Sequence, residues 1–315
     1  MLSLDQSHVQ YINNLPSVSI ITITQFGRFA SFEILYELVN RQTYSNIKEW
    51  VIVEGSHSET DAEKNEELIV NFIETMQEPN SCIDYMYLPY TGQKLGELRN
   101  LGNDACKSDV IICMDDDDYY PPTRISHAVE MLYSQYTDTC CLIGGSSDLY
   151  IFDFFLDKLY KYDANGAFGP YHSTNNCMAY KREYLTDNRH DPTISQGEEP
   201  SFTKQFTNPM VQFDPLETII CISHSSNTFN KRNLCIGGSL GIYTFMKEVD
   251  GPITNYIPQD IYNKMKTAYY KSEIDGPFTI EELLQKNDKT VHFLEKYKKQ
   301  DYNFRRKIKR LIKES

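Results

Sequence analysis

The chain is short of cations: 31 Lys and Arg stand against 44 Asp and Glu, a formal net charge of -13. That balance excludes general nucleic-acid binding, which needs a clustered excess of Lys and Arg on phosphates. A phosphate-bearing ligand would have to find its cations locally. Long apolar runs are missing too, with nothing near the ~20 residues that a membrane-spanning helix needs. The start, Met1-Leu2-Ser3-Leu4-Asp5-Gln6, lacks the charged and then apolar segments of a secretion signal. The eight cysteines form no CxxC pair, and several fall in apolar contexts such as Cys113 and Cys140-Cys141. They read as buried thiols in a reducing compartment. These absences predict a soluble, cytoplasmic protein, and there is no internal repeat or low-complexity segment to suggest otherwise.

What is present is an ordinary globular composition, 40% hydrophobic and 24% charged over 315 residues, enough for one large domain with an extension. Val18 to Thr24 is a β-branched run with the character of a buried strand. Phe29 to Val39 then carries apolar residues at helical spacing, and Glu49 to Glu54 supplies a second strand. Ser58 to Asp61 can open a helix running to Met76, followed by a strand at Ile83 to Leu88, a helix at Leu95 to Cys106 and a strand at Asp109 to Met114. This alternation predicts an α/β fold with a doubly wound, mostly parallel sheet flanked by helices. In such sheets ligands sit at the carboxyl ends of the strands.

One such end carries Asp115, Asp116, Asp117 and Asp118, directly after an apolar run and directly before Tyr119-Tyr120-Pro121-Pro122. A run of charge is ordinarily a solvated loop. Apolar and aromatic flanks argue against that here, and carboxylates drawn toward a buried strand end cost several kcal/mol each, by the usual order of magnitude, unless a cation compensates them. Hard oxygen donors suit Mg2+ or Mn2+.

Beyond Pro122 a helix is expected to about Gln135 and a strand at Cys140 to Gly144. Tyr150 to Tyr171 is aromatic, with a loop at Gly166 to Pro170. Asn176 to Tyr184 reads as a strand leading into a short helix, and Thr218 to Ser223 as a further strand. Pro258 to Tyr270 and Thr279 to Tyr297 look helical. The segment Phe304 to Lys313 carries six Lys or Arg residues, suited to a solvated helix end or to contact with an acidic or anionic lipid surface.

Six short elements in order carry a family resemblance. Met114 to Ile125 resembles the LDxDDxxxPxxL signature of family 2 glycosyltransferases, enzymes of the GT-A fold. Val18 to Thr24 resembles the opening VSVIIPT strand, with Ile23 in place of Pro. Val51 to Ser56 resembles IVVDDGS, with Glu54 in place of Asp. Gly96 to Asn103 resembles GxxxARNxG, Gly197 to Phe202 resembles GEDxxF, and His224 to Thr228 resembles HxxNT. The resemblance covers about residues 18 to 232. It implies a metal-dependent, inverting transfer of sugar from a nucleoside diphosphate sugar, with a UDP-sugar expected, to a glycan, protein or small-molecule acceptor. It implies a catalytic base at Glu199, with Glu198 as its neighbour, and donor binding by Thr24, Glu54, Lys94, Arg99, Asp115 and Asp116. It also implies a Mn2+ or Mg2+ site at Asp117, Asp115 and His224.

Residues 1–17 then form a lead-in, 18–232 the transferase domain with a nucleotide-binding half to 118 and an acceptor half from 119, and 233–315 a helical extension that could mediate a homodimer. Two other readings are a sugar nucleotidyltransferase and a catalytically inactive nucleotide-sugar-binding module. The first predicts a Gly-rich loop after the first strand, and Gln25-Phe26-Gly27-Arg28 is too poor in glycine.

Overall fold

The computed structural model describes residues 15–77, 83–134, 141–164, 168–224, 227, 229, 231–241 and 243–269. Two compact units divide the chain: Met1–Ser147 with Phe168–Ile219, and Asp148–Ala167 with Ile220–Ser315. The divisions between these units fall at 147, 167 and 219.

In the first unit β1 (Val18–Thr24), α1 (Phe29–Asn40), β2 (Ile47–Glu54), α2 (Glu59–Met76), β3 (Asp84–Leu88), α3 (Leu95–Ala105) and β4 (Val110–Cys113) follow the expected alternation. Strands β1, β2, β3 and β4 pair in parallel, with Thr24 opposite Glu54 and Ile21 opposite Cys113. Their four carboxyl ends therefore lie along one edge of the sheet. β1 is buried on almost every residue, as a central parallel strand covered by helices on both faces should be.

One aromatic layer lies between α1, α2 and the sheet. Phe32 stacks on Trp50 at 5.4 Å between ring centroids, and Tyr36, Phe72 and Tyr85 complete the layer. Trp50, the one tryptophan in the chain, also donates its indole N–H to Thr22 Oγ1 at 2.9 Å, and Thr22 donates to the Met114 carbonyl at 2.7 Å. The backbone just ahead of the aspartates is thus tied to the core. On the other face α3 approaches closely through two glycines. A Cβ on Gly102 would lie 3.0 Å from Ile21 Cγ2, and one on Gly96 would lie 2.0 Å from the Asp191 carbonyl oxygen. Any side chain at Gly96 would push away the segment that carries His190.

After α4 (Arg124–Tyr133), the expected strand at Cys140 to Gly144 is β5 (Ile143–Gly145). The sheet is completed by β8 (Ala179–Lys181) and β9 (Met210–Gln212), in the order β3-β2-β1-β4-β8-β5-β9. β8 runs antiparallel to both β4 and β5, so the doubly wound parallel pattern stops at β4. The expected Asn176 to Tyr184 strand is a turn of 3-10 helix at Asn175–Cys177, then β8, then a second 3-10 turn at Arg182–Thr186. The short helix α5 (Glu199–Phe202) leads toward β9. α6 (Pro215–Thr218) shortens the expected strand at 218–223, because Asp214 caps it at Leu216 N and Pro215 suits a first turn.

The second unit holds a four-stranded sheet, order β10-β6-β7-β11, from β6 (Leu149–Asp153), β7 (Lys158–Tyr162), β10 (Ile220–Ser223) and β11 (Met246–Val249). Much of the aromatic stretch from Tyr150 is therefore a hairpin. Its Phe152, Phe154 and Tyr160 are buried core. Asp153 organises the turn, accepting from Phe155 N, Leu156 N, Ser223 Oγ and Arg232 Nε. Helices α7 (Arg232–Ser239) and α8 (Gln259–Tyr269) follow, the latter close to the expected 258–270 helix. The expected helix at 279–297, the basic segment at 304–313 and any dimer contact through them lie outside the described residues. Cys106, Cys113, Cys177, Cys221 and Cys235 are buried free thiols, and Cys141 is a partly exposed one. Among the described residues no helix is long and apolar enough to cross a membrane.

At the opposite edge of the large sheet, buried Glu49 accepts hydrogen bonds from Ser19 Oγ (2.5 Å), Lys107 N (2.6 Å) and Ser108 N (3.0 Å). Burial pushes its carboxyl up, but these donors outweigh burial and hold it below the ordinary range. A depressed carboxyl adds stability above its unfolded pKa, about 4.3, and that stability is lost as pH falls through the folded value. Glu49→Gln is expected to be less stable than the parent above about pH 5, with the gap closing in acid. Urea unfolding across a pH series reads this, and a gap that persists at the acid end would contradict it.

Candidate active site

The edge where β1, β2 and β4 end holds the charged groups. Met114 N donates to Ile21 O at 3.0 Å, so β4 stays in register with β1 up to the residue before Asp115. Asp115 N donates to the buried Tyr120 hydroxyl at 2.6 Å, and Asp118 Oδ2 accepts from Asn176 Nδ2 at 2.6 Å. These bonds fold the aspartates into a compact turn in which Asp116, Asp117 and Asp118 are all buried. Behind it Arg124 is fully buried and donates to the Cys177 and Met178 carbonyls at 2.9 and 3.0 Å.

Two arginines answer the charge. Arg99, on α3, grips Asp115 with two prongs, Nη1 to Oδ1 at 2.8 Å and Nη2 to Oδ2 at 3.3 Å, and turns Nε to Glu198 Oε1 at 3.3 Å. Burial works against the Arg99 charge, but Asp115 and Glu198 outweigh it and hold its proton more firmly than usual. Arg28, just ahead of α1, places Nη1 2.8 Å from Asp116 Oδ1 and 3.4 Å from Asp117 Oδ2. Asp116 is pushed up to about 7, chiefly by burial and then by Asp117, with Arg28 opposing. Thr24 adjoins it and favours the carboxylate, yet neither Thr24 Oγ1 nor Asp116 Oδ2 closes a hydrogen bond of full geometry.

Glu198 and Glu199 follow Gly197, whose φ of +68° lets the chain turn into α5. Glu198 is committed to Arg99, whereas Glu199 Oε1 accepts from Asn175 N at 3.2 Å. Burial, and then repulsion from Glu198, push the Glu199 carboxyl up to about 7. That is the range in which a carboxylate can take a proton and release it at neutral pH.

Thr24, Arg99, Asp115, Asp116, Asp117, Glu198 and Glu199 are thus linked at one sheet edge. Glu54 ends β2 on the same side, but it is fully buried and accepts from Ser56 N (2.6 Å), Asn65 Nδ2 (2.7 Å) and the Tyr87 hydroxyl. Little of its carboxylate is left for a ligand. Lys94 is exposed at the start of α3 and makes no ion pair among the described residues. His224 belongs to the second unit, where its ring stacks on Tyr269 at 4.2 Å and Nε2 lies 2.8 Å from Asn227 Nδ2.

Among the described residues no group of three or more His, Cys, Asp or Glu is arranged to hold a metal. The donor set at the aspartate turn does fit a hard divalent cation: it is all carboxylate oxygen, and Asp116 Oδ2 is buried without a full hydrogen bond. Sequence reasoning missed Arg28, Asn175, Asn176 and His190. Arg28 left a signal, since crowded carboxylates call for a cation on the neighbouring strand end and the turn after β1 carries one. The other three reach the site by tertiary folding from a segment with no regular pattern.

A parallel sheet with carboxylates gathered at the ends of its strands, closed by an antiparallel strand beyond β4, is the GT-A fold of glycosyltransferases. The chain belongs to glycosyl transferase family 2, whose profile matches residues 19–191. The mannosyltransferase PcManGT from Pyrobaculum calidifontis, solved with GDP-Man and Mn2+, aligns over 93% of this chain and 83% of its own with a TM-score of 0.51 and 11% identity. The 1-349 fragment of TarS from S. aureus, solved with UDP-GlcNAc, aligns over 67% of this chain with a TM-score of 0.47 and 14% identity. The match spans 60% of that fragment. No curated protein sequence matches the chain.

Removing one partner of a buried ion pair strands the other. Arg28→Ala is expected to lower the unfolding free energy by about 3–5 kcal/mol, and Arg28→Lys by less. Urea unfolding measures both, and an Arg28→Ala loss below about 1 kcal/mol would mean that Arg28 does not hold the aspartate turn.

Proposed function

We propose that the chain transfers a sugar, with inversion, from a nucleoside diphosphate sugar to an acceptor hydroxyl, with UDP as the expected nucleotide and a divalent cation as cofactor. The observation that carries this reading is Glu199: half-buried, held by Asn175 N, poised near neutral pH, and beside the Arg99–Asp115 pair. In a single displacement Glu199 takes the acceptor hydroxyl proton as that oxygen bonds to the anomeric carbon. The bond from that carbon to the diphosphate breaks, and the diphosphate leaves with the electron pair.

Asp115, Asp116 and Thr24 line the donor side in this reading. Arg99 holds Asp115 toward the nucleotide, and exposed Lys94 is available to phosphate. Glu54, spent on Ser56, Asn65 and Tyr87, shapes the wall of the nucleotide pocket instead of reading the base. Asp115 and Asp117 are the residues suited to hold Mn2+ or Mg2+, which when bound offsets the charge of the departing diphosphate. Asp117 would offer the cation the oxygen that now stands 3.4 Å from Arg28 Nη1. The role of His224 as a further ligand rests on the family resemblance.

Glu199→Gln is expected to bind donor as the parent does and to lose transfer by about 100-fold or more, the usual scale for a lost general base. In the parent, kcat/KM should rise with pH and level off above about 7, because the base must be unprotonated to act. A Glu199→Gln enzyme with full turnover would move the base elsewhere. Asp117→Asn is expected to abolish the metal-dependent part of the UDP-induced rise in melting temperature, and an undiminished rise with Mn2+ would remove Asp117 from the cation site.

A further inference from the structure

We infer that His190 is a positioning residue for the base, holding Asn175 so that its backbone N–H stays on Glu199 Oε1. The inference rests on the reading of Glu199 as that base.

His190 is 2% exposed, and its backbone is clamped to α3 on both sides: His190 N donates to Asn100 Oδ1 at 3.0 Å and Asn100 Nδ2 donates to His190 O at 2.8 Å. Its ring lies flat on Phe202, with centroids 4.1 Å apart and planes 9° apart. Phe202 closes the same short helix that Glu199 opens. Ring nitrogen Nε2 stands 3.4 Å from Asn175 Nδ2, while Asn175, also 2% exposed, sends its backbone N–H to Glu199 at 3.2 Å. One imidazole thus touches both the helix that carries the base and the residue that bonds it.

The contact works in one protonation state. Asn175 Nδ2 is a donor, so Nε2 must offer its lone pair and the ring must be neutral, with its proton on Nδ1. Nδ1 closes no hydrogen bond of full geometry. Burial first, and then the Arg99 and Arg189 charges, push the imidazole down to about 3, so it stays neutral across the working range. Arg99 on α3 and Glu198 at the start of α5 are the charged groups that face Glu199. A cation at position 190 would add to Arg99 and hold Glu199 ionised too firmly to accept a proton. A neutral ring gives the position without the charge.

The test separates packing from hydrogen bonding. His190→Phe keeps a ring on Phe202 and removes the lone pair; His190→Gln restores an acceptor for Asn175. Carbon-13 NMR of the Glu199 carboxyl follows its titration directly, with no assay of transfer. In His190→Phe the midpoint is expected to move up by about half a unit, because a loosened Asn175 N–H no longer favours the carboxylate. Turnover should fall about tenfold with the donor KM unchanged, as for a misplaced catalytic group. His190→Gln should return both toward the parent. Should the Phe variant not fold, Asn175→Leu removes the same contact from the other side and should give the same upward shift.

A Glu199 midpoint unmoved in a folded His190→Phe or Asn175→Leu protein would overturn the proposal. So would a shift that His190→Gln leaves uncorrected. A shift that Gln corrects, with turnover unaffected throughout, would support the positioning role and count against Glu199 as the base.

Discussion

The arrangement of this chain depends on neutralising carboxylates at one edge of a sheet. Asp115 to Asp118, Glu198 and Glu199 crowd that edge, and Arg28 and Arg99 are in direct contact with four of them. Each buried carboxylate must be paired, hydrogen-bonded or protonated, because an unpaired charge in that setting costs several kcal/mol by the general estimate. The site uses all three solutions. Asp115 takes a two-pronged arginine, Asp118 an asparagine amide, and Asp116 and Glu199 hold their protons up to near neutral pH. Arg99 engages Glu198 directly, while burial and the neighbouring Glu198 charge leave Glu199 with a raised proton affinity.

Fold and site meet through a few polar contacts that run into the core. Trp50 holds Thr22, Thr22 holds the Met114 carbonyl, and the aspartate turn begins at the next residue. Gly96 and Gly102 let α3 lie close enough for Arg99 to reach Asp115 and for Asn100 to clamp His190. The antiparallel strand β8 follows the turn that carries Asn175 and Asn176, so the residues touching Glu199 and Asp118 arrive beside β4 from a distant part of the chain. A change in any of these packing contacts is felt at the carboxylates, because the interior transmits displacement instead of absorbing it.

The first half of the chain was legible because its signals are local. β-branched runs, helical spacing and the Ser58 cap each depend on near neighbours, and the observed bounds of β1, α2 and β4 stay within a few residues of the expected ones. The aspartates, Arg99 and the Glu pair were legible as a set because the ordered motifs placed them on strand ends and a helix start. Beyond residue 140 the reading weakened for physical reasons. Strands of three residues such as β5, β8 and β9 are too short to show a period, and their formation depends on partners far along the sequence. The hairpin at 149–162 reads in the sequence only as an aromatic stretch, because its aromatic side chains fit core and ligand contact equally well. Arg28, Asn175 and His190 gained their roles from neighbours that no spacing rule could supply, and Glu54 lost part of its expected one to Asn65 and Tyr87.

The central claim is that this edge of the sheet binds a nucleoside diphosphate together with a divalent cation. Titration calorimetry of the full chain with UDP, GDP, CMP and dTDP, each with Mn2+, with Mg2+ and with EDTA, tests it directly. The account predicts that UDP binds in the presence of metal and weakly or not at all in EDTA. Absence of binding by every nucleotide with either metal, or equal affinity in EDTA, would contradict it.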